Sequence, residues 1–257
     1  MNYYVLLKMV PDTVEELELA PDGKSLDAEM VRLRVSDSDE HAVEEALLLK
    51  EKHGGSVTVA ALEAPEVDDV LFTALAKGAG RAVKLAGDWG AVQSQAAARA
   101  MAKFLAPNGT LPADALVMLR SQAIDDLEGE VGPYLAELLG APYIGIVTSV
   151  TPDGAGVTVT KEFAGGLRGE FSLPLPAVLG IQSAEKPPRY VPIAKVRATQ
   201  KTAKIEVLEV GAPEQAACFP VERMYKPEAA GRAQMLEGSA DDIANKIVEV
   251  MTQNSLI

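Results

Sequence analysis

Cysteine and histidine are nearly missing from this chain, and positive charge is in deficit. The lone cysteine, Cys218, cannot form an internal disulfide, which fits a reducing compartment such as the cytosol. One cysteine and two histidines, His41 and His53, cannot build a Cys/His zinc site. No G-x-S-x-G elbow is present, so a His-based triad has no recognisable nucleophile. Lys and Arg number 24 against 37 Asp and Glu, a net charge of −13, which argues against a nucleic-acid partner. No apolar run approaches the ~20 residues of a membrane span. The opening "MNYYVLLKMVPD" has no basic leader and too short an apolar stretch for a signal peptide, so none is expected. The expectation is a cytoplasmic protein.

What is present is an ordinary globular composition, 48% apolar and 24% charged, in a chain long enough for one large core or two modest ones. Short apolar runs at 3–8, 56–62, 81–86, 114–120 and 143–150 read as strands. Helical patterns at 40–53, 67–77, 92–105 and 130–139 separate them. Three of these end at Gly54, Gly78 and Gly140, the expected C-terminal stop. Strands apolar on both faces with helices between them predict a doubly wound, mostly parallel α/β sheet of Rossmann-like type. Ligands of such sheets bind at the carboxyl ends of the strands.

After Val150 the pattern changes to period two. "VTVTKEF" places Val157, Val159 and Phe163 on one face, and "LRGEFSL" does the same for Leu167, Phe171 and Leu173. The two predict an added β-hairpin, with one more strand at 176–182. From Ser183 onward core patterning is lost until a last helix at 241–253, capped by Ser239, with a narrow stripe of Ile243, Ile247 and Val250. The expected division is a nucleotide-binding-type domain over 1–202 and an arm over 203–257. His41 and His53 are expected on the helix surface, and Trp89 at a sheet edge.

The segment "SQAIDDLEGEVGPYLAELLG" follows the fourth strand with Asp125, Asp126, Glu128 and Glu130 before an amphipathic helix. Acids are favourable at a helix N-terminus, and so is a nucleotide phosphate. Both readings stand on the residues alone. The same holds for "SDSD" at 36–39, where capping and ligand binding call for the same residue types.

Several stretches together resemble the beta subunit of electron transfer flavoproteins. They are "VLLKMVPDT", "HAVEEALLLKEK", "FTALAKGAGRAVKL", "SQAIDD…VGPYLAELLGAP" and "FAGGLRGEFSLPLPAVLGIQSAEKPPRY", in family order over about residues 1–205. The tail "RMYKPEAAGRAQMLEG" resembles the arm of the branch serving trimethylamine dehydrogenase.

The resemblance implies a redox carrier without substrate chemistry of its own. It would form a heterodimer with an alpha subunit that holds most of the FAD, and the terminal helix would pack on that subunit. Electrons would pass from flavin dehydrogenases to a quinone-reducing or other acceptor, and an AMP would lie in this chain. It further implies nucleotide contacts at Leu6, Ser36, Asp37, Ser38, Asp39, Leu62, Arg120, Ser121, Gln122, Ala123, Ile124, Asp125, Asp126, Gly129, Glu130 and Val131. Partner docking would fall on the loop 184–204, at Pro188, Arg189, Tyr190, Ile193, Lys195 and Arg197, with Ile193 as the aliphatic anchor.

The sequence departs from the family at Gly129, Glu130 and Val131, where an amide or small residue, Gln and Thr or Val are usual. Thr13 and Ser38 replace aromatics. A bifurcating member would hold a second FAD here, but its "DGDT" segment reads "DDLEG" in this chain. A subunit with an empty crevice is the remaining alternative.

Overall fold

The computed structural model describes every residue except 88, 90–92, 155, 212–220, 228–230, 232 and 234. Cys218 and the expected helix start at Val92 therefore lie outside the described residues. The chain divides into two compact units, Met1–Glu222 and Arg223–Ile257.

The first unit is built on a nine-stranded sheet. Its strands in chain order are β1 (Asn2–Leu7), β4 (Ser56–Leu62), β5 (Arg81–Ala86), β6 (Ala115–Arg120), β7 (Tyr143–Asp153), β8 (Gly156–Glu162), β9 (Arg168–Pro174), β10 (Ala177–Ile181) and β11 (Glu206–Glu209). A small antiparallel ribbon, β2 (Met9–Pro11) with β3 (Leu33–Val35), lies between β1 and β4 in the chain. The sheet order is β11-β5-β4-β1-β6-β10-β7-β8-β9. Pairing is parallel from β11 through β7, and β8 and β9 add an antiparallel hairpin. From β1 the chain moves outward to β4 and β5, then returns to the other side of β1 as β6. The switch point thus falls between the carboxyl ends of β1 and β6, where doubly wound sheets leave a crevice.

Helices α1 (Asp37–His53) and α2 (Val67–Lys77) cover one face, and α3 (Ser94–Leu105) and α4 (Val131–Leu139) the other. The strands feed both layers by alternation. In β1, Tyr3, Val5 and Leu7 pack under α1, while Leu6 packs towards α3 and α4; in β6, Leu116 and Met118 oppose Val117 and Leu119. This is why β1 and β6 read as unbroken apolar runs.

Four readings of the sequence are corrected. The loop expected over 184–204 contains a helix, α5 (Ile193–Thr202), formed after Pro192, and within the expected arm β11 extends the sheet beside β5. Neither buries an apolar stripe, so neither leaves a periodic signal. The hairpin's apolar faces are only partly used, because Val157, Val159 and Leu173 are buried while Phe163, Leu167 and Phe171 are exposed. His41 is a half-buried acceptor whose Nδ1 takes the Ala184 N–H at 3.2 Å. Trp89 is buried under α3, its indole N–H donating to the Leu85 carbonyl at 3.0 Å.

The second unit carries α6 (Ala240–Gln253), opened by a full capping box between Ser239 and Asp242 as expected.

Three glycines make room for one side chain at the end of the sheet. A Cβ on Gly132, Gly145 or Gly180 would come within 2.5, 2.7 or 2.6 Å of the Tyr143 ring or hydroxyl. Gly180→Ala is expected to destabilise the protein by about 2 kcal/mol, the cost of overpacking. Tyr143→Phe removes the closest atom met by that Cβ, so the same substitution should cost less in the Phe background. Urea melts of the four proteins check this; equal costs in both backgrounds would count against the cradle.

Candidate functional site

The first turn of α1 carries a carboxylate to the switch point. Asp39 is fully buried and accepts the backbone N–H of Lys8 at 2.8 Å and of Arg120 at 2.7 Å, the residues closing β1 and β6. The Arg120 guanidinium, also buried, lies 3.5 Å from the same carboxylate. Burial pushes the Asp39 carboxyl up, against the pull of Arg120 and of the two amides. Ser36 precedes the helix but makes no side-chain cap, and Asp37 turns outward to Arg34 at 2.5 Å.

The loop between β6 and α4 is tied down at several points. The Ser121 hydroxyl donates to the Gly180 carbonyl at 2.7 Å and accepts the Ile146 N–H at 2.8 Å. Ile146 is held there at φ 61, a conformation β-branched residues avoid. The Gln122 side chain donates to the Leu127 carbonyl. The Lys8 ammonium meets Asp125 at 2.7 Å and Asp126 at 2.6 Å. Glu128 accepts the Ser94 hydroxyl at 2.7 Å, joining the loop to the start of α3. Gly129, at φ 66, stands where a Cβ would lie 3.0 Å from the Ser121 carbonyl. Glu130 is the N-cap residue of α4 and makes no side-chain cap.

Ten of the sixteen nucleotide residues expected from the sequence line two cavities. Ser36, Asp37, Ser38, Gln122, Ala123 and Ile124 line one of about 220 Å³, together with Thr13 and Arg34. Leu62, Arg120, Asp126 and Val131 line the other, of about 100 Å³, at the carboxyl ends of β1, β4 and β6. Leu6, Asp39, Ser121, Asp125, Gly129 and Glu130 line neither, and Leu6 is fully buried in the core. Lys8, Trp89 and Ser94 also face the second cavity. Sequence reasoning passed over Lys8, although a lysine directly beyond a buried strand at a switch point is a usable signal.

The expected docking segment is gripped by α1. Buried Glu44 accepts the Arg189 backbone N–H at 2.9 Å and its Nε and Nη2 at 2.8–3.0 Å, while Glu51 takes Nη1 at 2.5 Å. These two carboxylates, Glu44 foremost, hold the guanidinium pKa above its usual value. Glu45 accepts the Glu185 N–H at 2.9 Å, and burial pushes its carboxyl up. Arg189 therefore turns inward as a clamp, and half-buried Pro188 lies beside it. Tyr190 and Ile193 beyond it are 82% and 66% exposed, and Lys195, Arg197, Lys201 and Lys204 are exposed around them. Ile193 opens α5 instead of lying in a loop, and α5 is held to α2 by Gln200 to Asp69 at 3.1 Å.

The architecture is a doubly wound, mostly parallel α/β sheet with a crevice at its switch point. The chain matches the family model described as "Electron transfer flavoprotein domain" over residues 26–213. A beta subunit of electron transfer flavoprotein from Methylophilus methylotrophus is 27% identical over 98% of both chains. Those of Clostridium acetobutylicum and Syntrophomonas wolfei are each 34% identical, over 76% and 83% of this chain and 74% and 87% of theirs. The chain belongs to the electron transfer flavoprotein beta-subunit family, a flavoprotein subunit of electron transport. Among the described residues no helix is long and apolar enough to cross a membrane.

Asp39→Asn leaves one backbone amide without an acceptor and Arg120 buried without a counter-charge. A loss of about 3–5 kcal/mol is expected, the usual result of breaking a buried pair. Adding Arg120→Met should return part of it. Chemical denaturation measures both, and a loss under about 1 kcal/mol would show that the pair does not hold the switch point together.

Proposed function

We propose that this chain is the beta subunit of a heterodimeric electron transfer flavoprotein, with FAD held mainly by the alpha subunit. Bound flavin supplies the redox chemistry, accepting electrons from a flavin dehydrogenase and passing them to a quinone-reducing or other acceptor. This chain supports the flavin-bearing subunit and docks the partner, with no substrate chemistry of its own. The cavity of about 220 Å³ at Thr13, Arg34 and Gln122 is below the roughly 300–1,000 Å³ of self-sufficient small-molecule sites. That favours a surface that meets a cofactor carried elsewhere. It also speaks against a second FAD in this chain, as does "DDLEG" in place of the bifurcating segment. We place the heterodimer in the cytoplasm and assign the apolar stripe of α6 (Ile243, Ile247 and Val250) to the alpha subunit.

The observation that carries the docking role is the pairing of a rigid clamp with an exposed anchor. Ordering a loop at the moment of binding costs free energy, and the hold of Glu44 on Arg189 meets that cost in advance. Ile193 then projects from the first turn of a helix, ringed by lysine and arginine on an otherwise acidic chain. One aliphatic anchor inside a charged rim gives a transient interface its specificity.

Ile193→Ala should weaken dehydrogenase docking by about 2 kcal/mol, typical of a hot spot. Flavin content and melting temperature should barely move, since the side chain is exposed. Charge reversal at Lys195 or Arg197 should lower mainly the on-rate and steepen no other step, with the effect fading at high salt. Reduction of the heterodimer flavin against dehydrogenase concentration is the measurement. Unchanged kinetics for Ile193→Ala would remove the residue from the interface.

A further inference from the structure

Resting on that reading, we infer that the crevice at the carboxyl ends of β1, β4 and β6 takes no phosphate-bearing nucleotide, because the chain's own carboxylates close the α4 N-terminus. The AMP implied by the family resemblance needs room and donors for a phosphate at this helix end. The residues do not fit it. The space between Ser121, Gly129, Glu130 and Gly132 is about 10 Å³, no more than a single water requires.

Charge points the same way. Among the described residues two cations line this region, and both are spent: Lys8 on Asp125 and Asp126, Arg120 on Asp39. Three carboxylates, Asp126, Glu128 and Glu130, border the helix start, and Gly129 and Val131 offer it no side-chain donor. A phosphate dianion placed here would meet like charge from neighbouring carboxylates.

The ties that a nucleotide would otherwise supply are made internally. Lys8 joins the end of β1 to the loop, and the bond from the Ser94 hydroxyl to Glu128 joins that loop to α3. The crevice is thereby braced without a ligand.

The heterodimer, co-purified with its alpha subunit, is denatured and the released small molecules are identified by mass spectrometry. FAD without AMP is expected, at one FAD per heterodimer. Calorimetric titration with AMP should give no binding, and millimolar AMP should leave the melting temperature unchanged. Glu128→Gln with Glu130→Gln should raise AMP affinity at least about tenfold, since each removes a like charge at close range. AMP should then raise the melting temperature of that variant. Glu130→Gln alone, which breaks no side-chain cap, serves if the double variant fails to fold.

Stoichiometric AMP or a second FAD from the unaltered heterodimer would overturn the inference. So would variants whose response to AMP matches the parent. Failure of the family reading looks different: no complex with an alpha subunit and no FAD, whatever the AMP content.

Discussion

The buried carboxylate of Asp39 is the interaction on which the site depends. Where a parallel sheet reverses its winding, the last amides of two neighbouring strands emerge without a ladder partner and must find acceptors. Asp39 answers those of Lys8 and Arg120 together, and the Arg120 guanidinium supplies the counter-charge. Its place in the first turn of α1 fixes that helix against the sheet. Everything gripped further along α1, from Ala184 on His41 to Arg189 on Glu44, inherits its position from that anchor.

The same helix therefore serves two ends. Its start organises the crevice, and its middle holds the segment that leads to Tyr190 and Ile193. Buried charge is costly unless paired, and α1 turns Asp39 to the ends of β1 and β6 and His41, Glu44 and Glu45 to residues 184–189. Each has a named donor. The polar face formed by His41, Glu44 and Glu45 gives specificity of placement where an apolar face would give only adhesion.

Much of this was legible in the sequence. The strands at 56–62 and 81–86 and the helix at 67–77 coincide with β4, β5 and α2, because burial on one or both faces writes a periodic pattern. The N-cap of the last helix was readable at Ser239. Two of the elements that escaped bury nothing: α5 is held by contacts with α2, and β11 by backbone pairing at an exposed edge. At the site, the acids of 125–130 were visible as charges, but their partners were not. Lys8 lies 117 residues from Asp125, and only the crossing of β1 beside β6 brings them together. Arg189 was misplaced for the same reason: a lone arginine in a proline-rich stretch gives no sign of a buried glutamate on another helix.

We propose that this chain is one half of a flavoprotein and carries no flavin by itself. Co-expression with the cognate alpha subunit, followed by size exclusion with absorbance recorded for protein and flavin, tests it most directly. The account predicts an equimolar complex that carries the flavin, and a separately purified chain that is folded and colourless. A chain that binds flavin alone and accepts electrons from a dehydrogenase without the alpha subunit would contradict it.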